Sequence, residues 1–148
     1  MSEFIEAAIR KSFPDAVLEP TVDIDGNLVL KIAKESIGGI CRLLKESSEL
    51  EFDYPANITA VDWSDRLEMV YQLTSIALRH KITLKVDLER ENPEIATVTD
   101  VWRGAEWQER EIFDLFGIKF TGHPDLRRVL LPEDWEGYPL RKDYVIPD

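Results

Sequence analysis

Over residues 82–89 the chain alternates without a fault: Ile82, Leu84, Val86 and Leu88 share one side, and Thr83, Lys85, Asp87 and Glu89 share the other. A period of two marks a strand that buries one face and wets the other. A sheet of such strands needs a lid on its apolar side only. Helical spacing elsewhere supplies one. Phe4, Ile5, Ala8, Ile9 and Phe13 recur at that spacing behind Ser2, a residue type suited to an N-cap, and Pro14 ends the helix. Ile37, Ile40, Cys41 and Leu44 make a second stripe over 36–47. Gly38-Gly39 inside it weaken a helix by ~1 kcal/mol each relative to alanine, which implies close packing there. A third helical run extends from about residue 98 to 116 and is closed by Gly117.

The remaining strand signals complete the picture. Val22 and Ile24, then Asp25-Gly26-Asn27, then Leu28, Leu30 and Ile32 predict a hairpin over 17–33, because glycine takes positive φ at no steric cost. Residues 58–63 and 67–73 read as further strands, and Asn92-Pro93 breaks the chain before the third helix. The expected fold is α+β, a two-layer sandwich of a mixed or antiparallel sheet with helices over residues 1–120. Residues 121–148 follow as an extended, aperiodic C-terminal arm.

Composition bounds the function. The chain has 148 residues and is 44% hydrophobic, enough for one packed domain despite a net charge of -11. No apolar run approaches the ~18 to 20 residues that span a bilayer, and the start has no signal or transit pattern. A cytosol-facing protein is expected. The single cysteine, Cys41, excludes an internal disulfide and an all-cysteine iron–sulfur site, and two histidines leave little for zinc. The acidity argues against nucleic acid as a partner. The charge is also uneven: residues 1–116 carry 23 acids and 13 bases, whereas residues 117–148 carry 6 and 5.

Three features resist a plain reading. The third helix's apolar stripe, Val98, Trp102, Ala105, Ile112 and Phe116, also passes through Glu109. Either the stripe is rotated and Glu109 is solvated, or Glu109 meets a basic group, with Arg127 and Arg128 nearest in sequence. Next, His123-Pro124-Asp125 puts a histidine and an aspartate in one loop. With Glu109 they could do acid–base work, yet no nucleophile motif or glycine-rich phosphate loop accompanies them. Finally, the 28 residues from 121 onward lack periodicity but hold Leu126, Val129, Leu130, Leu131, Trp135, Tyr138, Leu140, Tyr144, Val145 and Ile146. So apolar a segment is an arm lying on a surface, its own or a partner's.

At these residues a family resemblance enters. Glu109-Arg110-Glu111-Ile112-Phe113-Asp114-Leu115-Phe116-Gly117-Ile118, with Gly122-His123-Pro124-Asp125-Leu126-Arg127-Arg128-Val129-Leu130, resembles the 30 kDa subunit family of the respiratory NADH–quinone oxidoreductase, complex I, whose members are its C-type subunits. The run from Pro132 through Trp135, Tyr138 and Arg141-Lys142-Asp143-Tyr144 is similar to that family's C-terminal segment. The likeness is dense over about 98–144 and looser upstream, at Thr59-Ala60-Val61-Asp62 and Met69-Val70-Tyr71. His-Pro-Asp alone also occurs in J-domain co-chaperones, but there it joins two helices of a small hairpin domain that this chain lacks.

The resemblance implies a cofactor-free scaffold subunit in the peripheral arm of such a complex. It implies as partners the large quinone-site subunit, of the D type, and adjacent iron–sulfur subunits. NADH, FMN, iron–sulfur clusters and quinone belong to the whole complex, membrane contact comes only through partners, and the location is the cytoplasmic side of the cell membrane. A separate polypeptide, short at its N-terminus beside longer members, is expected. The residues that would fix the arm or bind a partner are Glu109, Arg110, Glu111, Asp114, His123, Asp125, Arg127, Arg128, Trp135, Tyr138, Arg141, Lys142, Asp143 and Tyr144, with Leu126 a further anchor. The alternatives are the equivalent subunit of a membrane-bound nickel–iron hydrogenase, a formate hydrogenlyase or a deazaflavin-dependent dehydrogenase, and a small stand-alone hydrolase using His123.

Overall fold

A computed structural model describes residues 2–146. Among them are three helices, α1 (Ser2–Ser12), α2 (Ile37–Glu46) and α3 (Ala105–Phe116). The strands are β1 (Val17–Val22), β2 (Leu28–Ile32), β3 (Tyr54–Asp62), β4 (Leu67–Ser75), β5 (His80–Leu88), β6 (Glu94–Ala96) and β7 (Lys119–Thr121). Five of them form one mixed sheet in the order β1-β2-β5-β4-β3. It is antiparallel except where β2 runs parallel to β5 with Leu28 opposite Ile82. The N-cap expectation on Ser2 concerns a side chain outside those described.

The alternation over 82–89 sets the layers. Ile82, Leu84, Val86 and Leu88 are buried, while Lys81 and Asp87 are exposed. In register with them, Leu67, Met69, Tyr71 and Leu73 of β4 and Leu28, Leu30 and Ile32 of β2 turn to the same side. There they join Ile5 and Ile9 of α1, Ile40 and Leu44 of α2, and Ile112 and Phe116 of α3 in one core. All three helices contribute to that single core, so the molecule is an α+β two-layer sandwich. On the open face Lys31 bridges Asp87 at 3.2 Å and Glu68 at 3.3 Å across three strands. Edge strand β3 is protected by α3: the Gln108 side chain accepts from the Ile58 amide (2.8 Å) and donates to the Pro55 carbonyl (3.4 Å).

The third helix starts later than its stripe. α3 begins at Ala105 because residues 98–104 fold as turns, in which the Val98 carbonyl accepts from the amides of Val101 and Trp102. The Trp102 indole donates to the Phe52 carbonyl at 2.9 Å and seats those turns in the core. Val98 and Trp102 are buried all the same, so the stripe marks the packing side correctly and the helix start wrongly. The strands β6 and β7 pair in parallel, Ile95 opposite Phe120. Three residues each are too few to display a period, which hides them from the sequence.

The glycine pair divides. A Cβ on Gly39 would stand 2.7 Å from the Phe13 ring, whereas one on Gly38 meets nothing within 4 Å. Only Gly39 is held by packing. Gly38→Ala is therefore expected to stabilise the protein by about 0.5–1 kcal/mol through lower unfolded-state entropy. Gly39→Ala should lose that gain to the clash. Chemical denaturation of the two variants checks the difference in sign.

Candidate functional site

The C-terminal face of α3 organises everything that follows it. Asp114, fully buried, accepts three successive amides, those of Val129 (3.1 Å), Leu130 (2.7 Å) and Leu131 (3.0 Å). Its other oxygen pairs with Arg128 at 2.8 Å. Burial alone would raise the carboxyl's pKa, but Arg128 and the three amides outweigh it and hold Asp114 below the usual carboxylate range. The carboxylate thus stays charged and supplies the acceptors that an aperiodic segment cannot find in a ladder.

Arginines then fasten the arm, three contacts reaching its own carbonyls and three reaching those of the body. Arg110 donates to the carbonyls of Arg127 and Arg128, each at 3.2 Å. Arg128 also reaches the carbonyls of Asp114 (2.9 Å) and Gly137 (2.8 Å), and Arg141 those of Phe116 (2.7 Å) and Arg90 (3.2 Å). Both of the last two guanidinium groups lie against the Tyr138 ring, Arg128 at 5.0 Å and Arg141 at 6.0 Å from its centre. That ring also covers Gly117, whose left-handed φ of 77° and 2.7 Å clearance exclude a side chain. Farther on, Asp62 accepts the Lys142 amide at 2.8 Å and pairs with Arg90, which also reaches Asp143 at 3.2 Å. Hydrogen bonding to Arg90, reinforced by the Lys142 and Ser64 amides against burial, keeps Asp62 well below its ordinary value.

Glu109 belongs to a different environment, and both expectations for it are corrected. It is fully buried, not solvated, and it does not meet Arg127 or Arg128. Its oxygens face the Thr97 hydroxyl at 2.5 Å and the Val98 amide at 2.9 Å instead. Burial raises its pKa to about 7; the Thr97 and Val98 hydrogen bonds offset part of that rise, and Asp100 adds to it.

The other expected residues separate by environment. Glu111 lies half-buried and takes no partner among the described residues. His123 Nδ1 accepts from the Asp125 amide (3.0 Å), which leaves Nε2 to donate to the Glu106 carbonyl (3.1 Å). The Asp125 carboxylate pairs with Arg127, not with the imidazole. Both ring nitrogens are engaged by the backbone, so His123 and Asp125 do not form a dyad. Leu126 and Tyr144 are half-buried on their own domain, Tyr144 against Gly137, while Lys142 contributes its amide. Trp135 points outward. Sequence reasoning missed Asp62 and Arg90 as arm fasteners. A signal existed for Asp62, which continues the inward phase of Ile58 and Ala60 on β3; Arg90, beyond the last alternating residue, had none.

Comparison with known proteins decides the family. The family model for "Respiratory-chain NADH dehydrogenase, 30 Kd subunit" matches residues 30–148. The chain belongs to that family. The C-type subunit of the NADH-quinone oxidoreductase of Roseiflexus castenholzii is 44% identical over 140 residues, spanning 93% of this chain and 80% of the relative. A chain of an archaeal respiratory membrane complex, the membrane-bound sulfane sulfur reductase, superposes with a TM-score of 0.81 at 30% identity, covering 97% of this chain and 85% of that one. Nqo5, solved as a trypsin-resistant fragment, gives 0.68 at 28% identity over 84% of this chain and 97% of its own.

A 30 Kd subunit works with other subunits of a membrane-associated respiratory complex whose cofactors operate at the level of the whole. No helix among the described residues is long and apolar enough to cross a membrane. Cys41, a lone thiol buried in the core with its pKa raised by burial, does not fit an iron–sulfur cluster, which needs several thiolates. Among the described residues no group of three or more histidine, cysteine or carboxylate side chains is arranged for a metal.

Two outcomes test the site. Asp114→Asn should cost about 3 kcal/mol or more, because it leaves Arg128 buried without its charge partner; thermal unfolding and faster proteolysis within 121–146 measure it. For Glu109, the folded state holds its proton up to about pH 7, while the unfolded chain releases it near 4.5. Stability should therefore fall as pH rises from about 4.5 to 7, by roughly 3 kcal/mol in all. Glu109→Gln should remove most of that slope and be the more stable form at pH 8.

Proposed function

We propose that this chain is a cofactor-free scaffold subunit in the peripheral arm of a complex-I-type NADH–quinone oxidoreductase. It holds the large quinone-site subunit and neighbouring iron–sulfur subunits in register while electrons pass from NADH to quinone. Its place is on the cytoplasmic side of the membrane, reached through those partners. The observation that carries this reading is the contrast within the arm. Its backbone is fastened by Asp114, Arg110, Arg128 and Arg141, yet Leu130, Leu140, Val145 and Ile146 stand 52–81% exposed beside Trp135 at 38%. A fixed backbone presenting apolar side chains outward suits a preorganised interface, since ordering costs little more on binding. Next to these residues a recess of about 600 Å³ is lined by Tyr138, Arg141, Tyr144, Val145 and Ile146.

The likeness to the sulfane sulfur reductase chain supports a second reading, the same scaffold in a related membrane complex. The chains that co-purify from the native membrane separate the two.

A double variant, Trp135→Ala with Leu140→Asp, tests the proposal without touching the fasteners. Association with the co-expressed large quinone-site subunit should weaken about tenfold or more, as expected for interface anchors, with the unfolding temperature of the free chain unchanged. Unaltered association would refute an arm-mediated contact.

A further inference from the structure

The hydrogen bonds around Glu109 form a chain that the scaffold role does not use. Thr97 Oγ1 lies 2.5 Å from Glu109 Oε1 and 2.9 Å from Thr99 Oγ1, and it accepts the Thr99 amide at 3.1 Å. The Thr97 oxygen has one hydrogen to give and two lone pairs to fill. With the amide occupying one lone pair, two arrangements satisfy it completely. In the first, a protonated Glu109 donates to Thr97, and Thr97 donates to Thr99. In the second, Thr99 donates to Thr97, and Thr97 donates to an ionised Glu109. The Val98 amide on Oε2 serves both states. Heavy atoms need not move between them.

We propose that Glu109, Thr97 and Thr99 form a proton-exchange relay, through which a carboxyl buried under α3 takes up and releases a proton at the surface. The two threonines are half-buried and lead outward from a carboxyl that is fully buried, so they offer the proton a path that the core does not. Uptake consumes one solvent proton and neutralises one carboxylate; release reverses this, the carboxyl proton passing to Thr97, the Thr97 proton to Thr99 and the Thr99 proton to solvent.

The groups facing Glu109 favour the neutral form. From α2 comes the Cys41 thiol and from β4 the Tyr71 hydroxyl, which is buried without a hydrogen-bond partner among the described residues. Both could ionise only to anions, and burial and the nearby Glu109 charge raise the pKa of both, so they stay neutral and offer Glu109 no positive partner. Asp100, in the turn before α3, adds negative charge and is itself held by Arg42 at 2.6 Å. No cation pairs with Glu109 among the described residues. Together with burial, these surroundings move the exchange into the range near pH 7.

The test is a pH titration of the full chain labelled with ¹³C at the glutamate side-chain carboxyl, read by NMR. Glu109→Gln assigns the signal by deleting it. One glutamate resonance is expected to titrate with a midpoint near 7, well above the others. Thr97→Val removes the hydroxyl that supports the charged form and should move that midpoint upward by about a unit, the size of effect a single hydrogen bond to a carboxylate has. Thr97→Ser should restore it, which a purely structural threonine would not do. A midpoint in the ordinary carboxylate range overturns the proposal. So does a Thr97→Val midpoint equal to that of the parent chain. If Thr97→Val does not fold, Thr99→Val carries the test through the rate: with the outer hydroxyl gone, proton exchange at Glu109 should slow, read as exchange broadening of its resonance near the midpoint, and exchange as fast as in the parent chain overturns the relay.

Discussion

Asp114 makes the difference between an arm that is ordered and one that is not. A segment without helix or ladder has no internal acceptors for its amides, and each amide left without a partner away from water costs free energy. Placing one charged carboxylate beneath three consecutive amides answers that need at the point where the chain leaves β7 and turns back over α3. The Arg128 ion pair then compensates the charge that the amides alone would leave buried. Every later fastening, at Gly137, Phe116 and Asp62, assumes that the chain has already been delivered to the right place.

Two carboxylates less than two turns apart on α3 show how environment, not residue type, sets charge. Asp114 has a guanidinium and three amides, and it is ionised below its usual range. Glu109 has one amide and one hydroxyl, with the negative Asp100 nearby, and burial raises its pKa to about 7. The helix is shared, and so is the burial. What differs is the number of donors that the adjoining chain brings, four in one case and two in the other.

Much of this is legible in the residues alone. The period of two over 82–89 implies the covered face and the wet one, and the hairpin signal at Asp25-Gly26-Asn27 locates β1 and β2. The stripe through Val98, Trp102, Ala105, Ile112 and Phe116 identifies the buried side of α3, and its passage through Glu109 flags a residue that does lie in the core. The assignment of a basic partner to Glu109 fails because nearness in sequence is a poor guide once the chain reverses. Arg128 goes to Asp114, and the group that meets Glu109 comes from the preceding turn. The details of the arm are not legible for a physical reason. Its contacts run from side chains to backbone carbonyls and amides, and a carbonyl carries no trace in the sequence.

That same property bears on how the arm can serve a partner. Arg110, Arg128 and Arg141 spend their donors on six carbonyls, those of Arg127, Arg128, Asp114, Gly137, Phe116 and Arg90. Fastening through carbonyls depends on the arm's own Arg128 and Arg141 but is indifferent to its other side chains. Leu130, Trp135 and Leu140 are therefore left outside the fastening and can be matched to another surface without disturbing the fold beneath. The near-neutral balance of residues 117–148 fits this division of labour. The guanidinium groups of Arg128 and Arg141 are turned inward on Gly137 of the arm, on α3 and on Arg90, and the outward surface of the arm sets Leu130, Trp135 and Leu140 among exposed acids such as Glu133, Asp134 and Glu136.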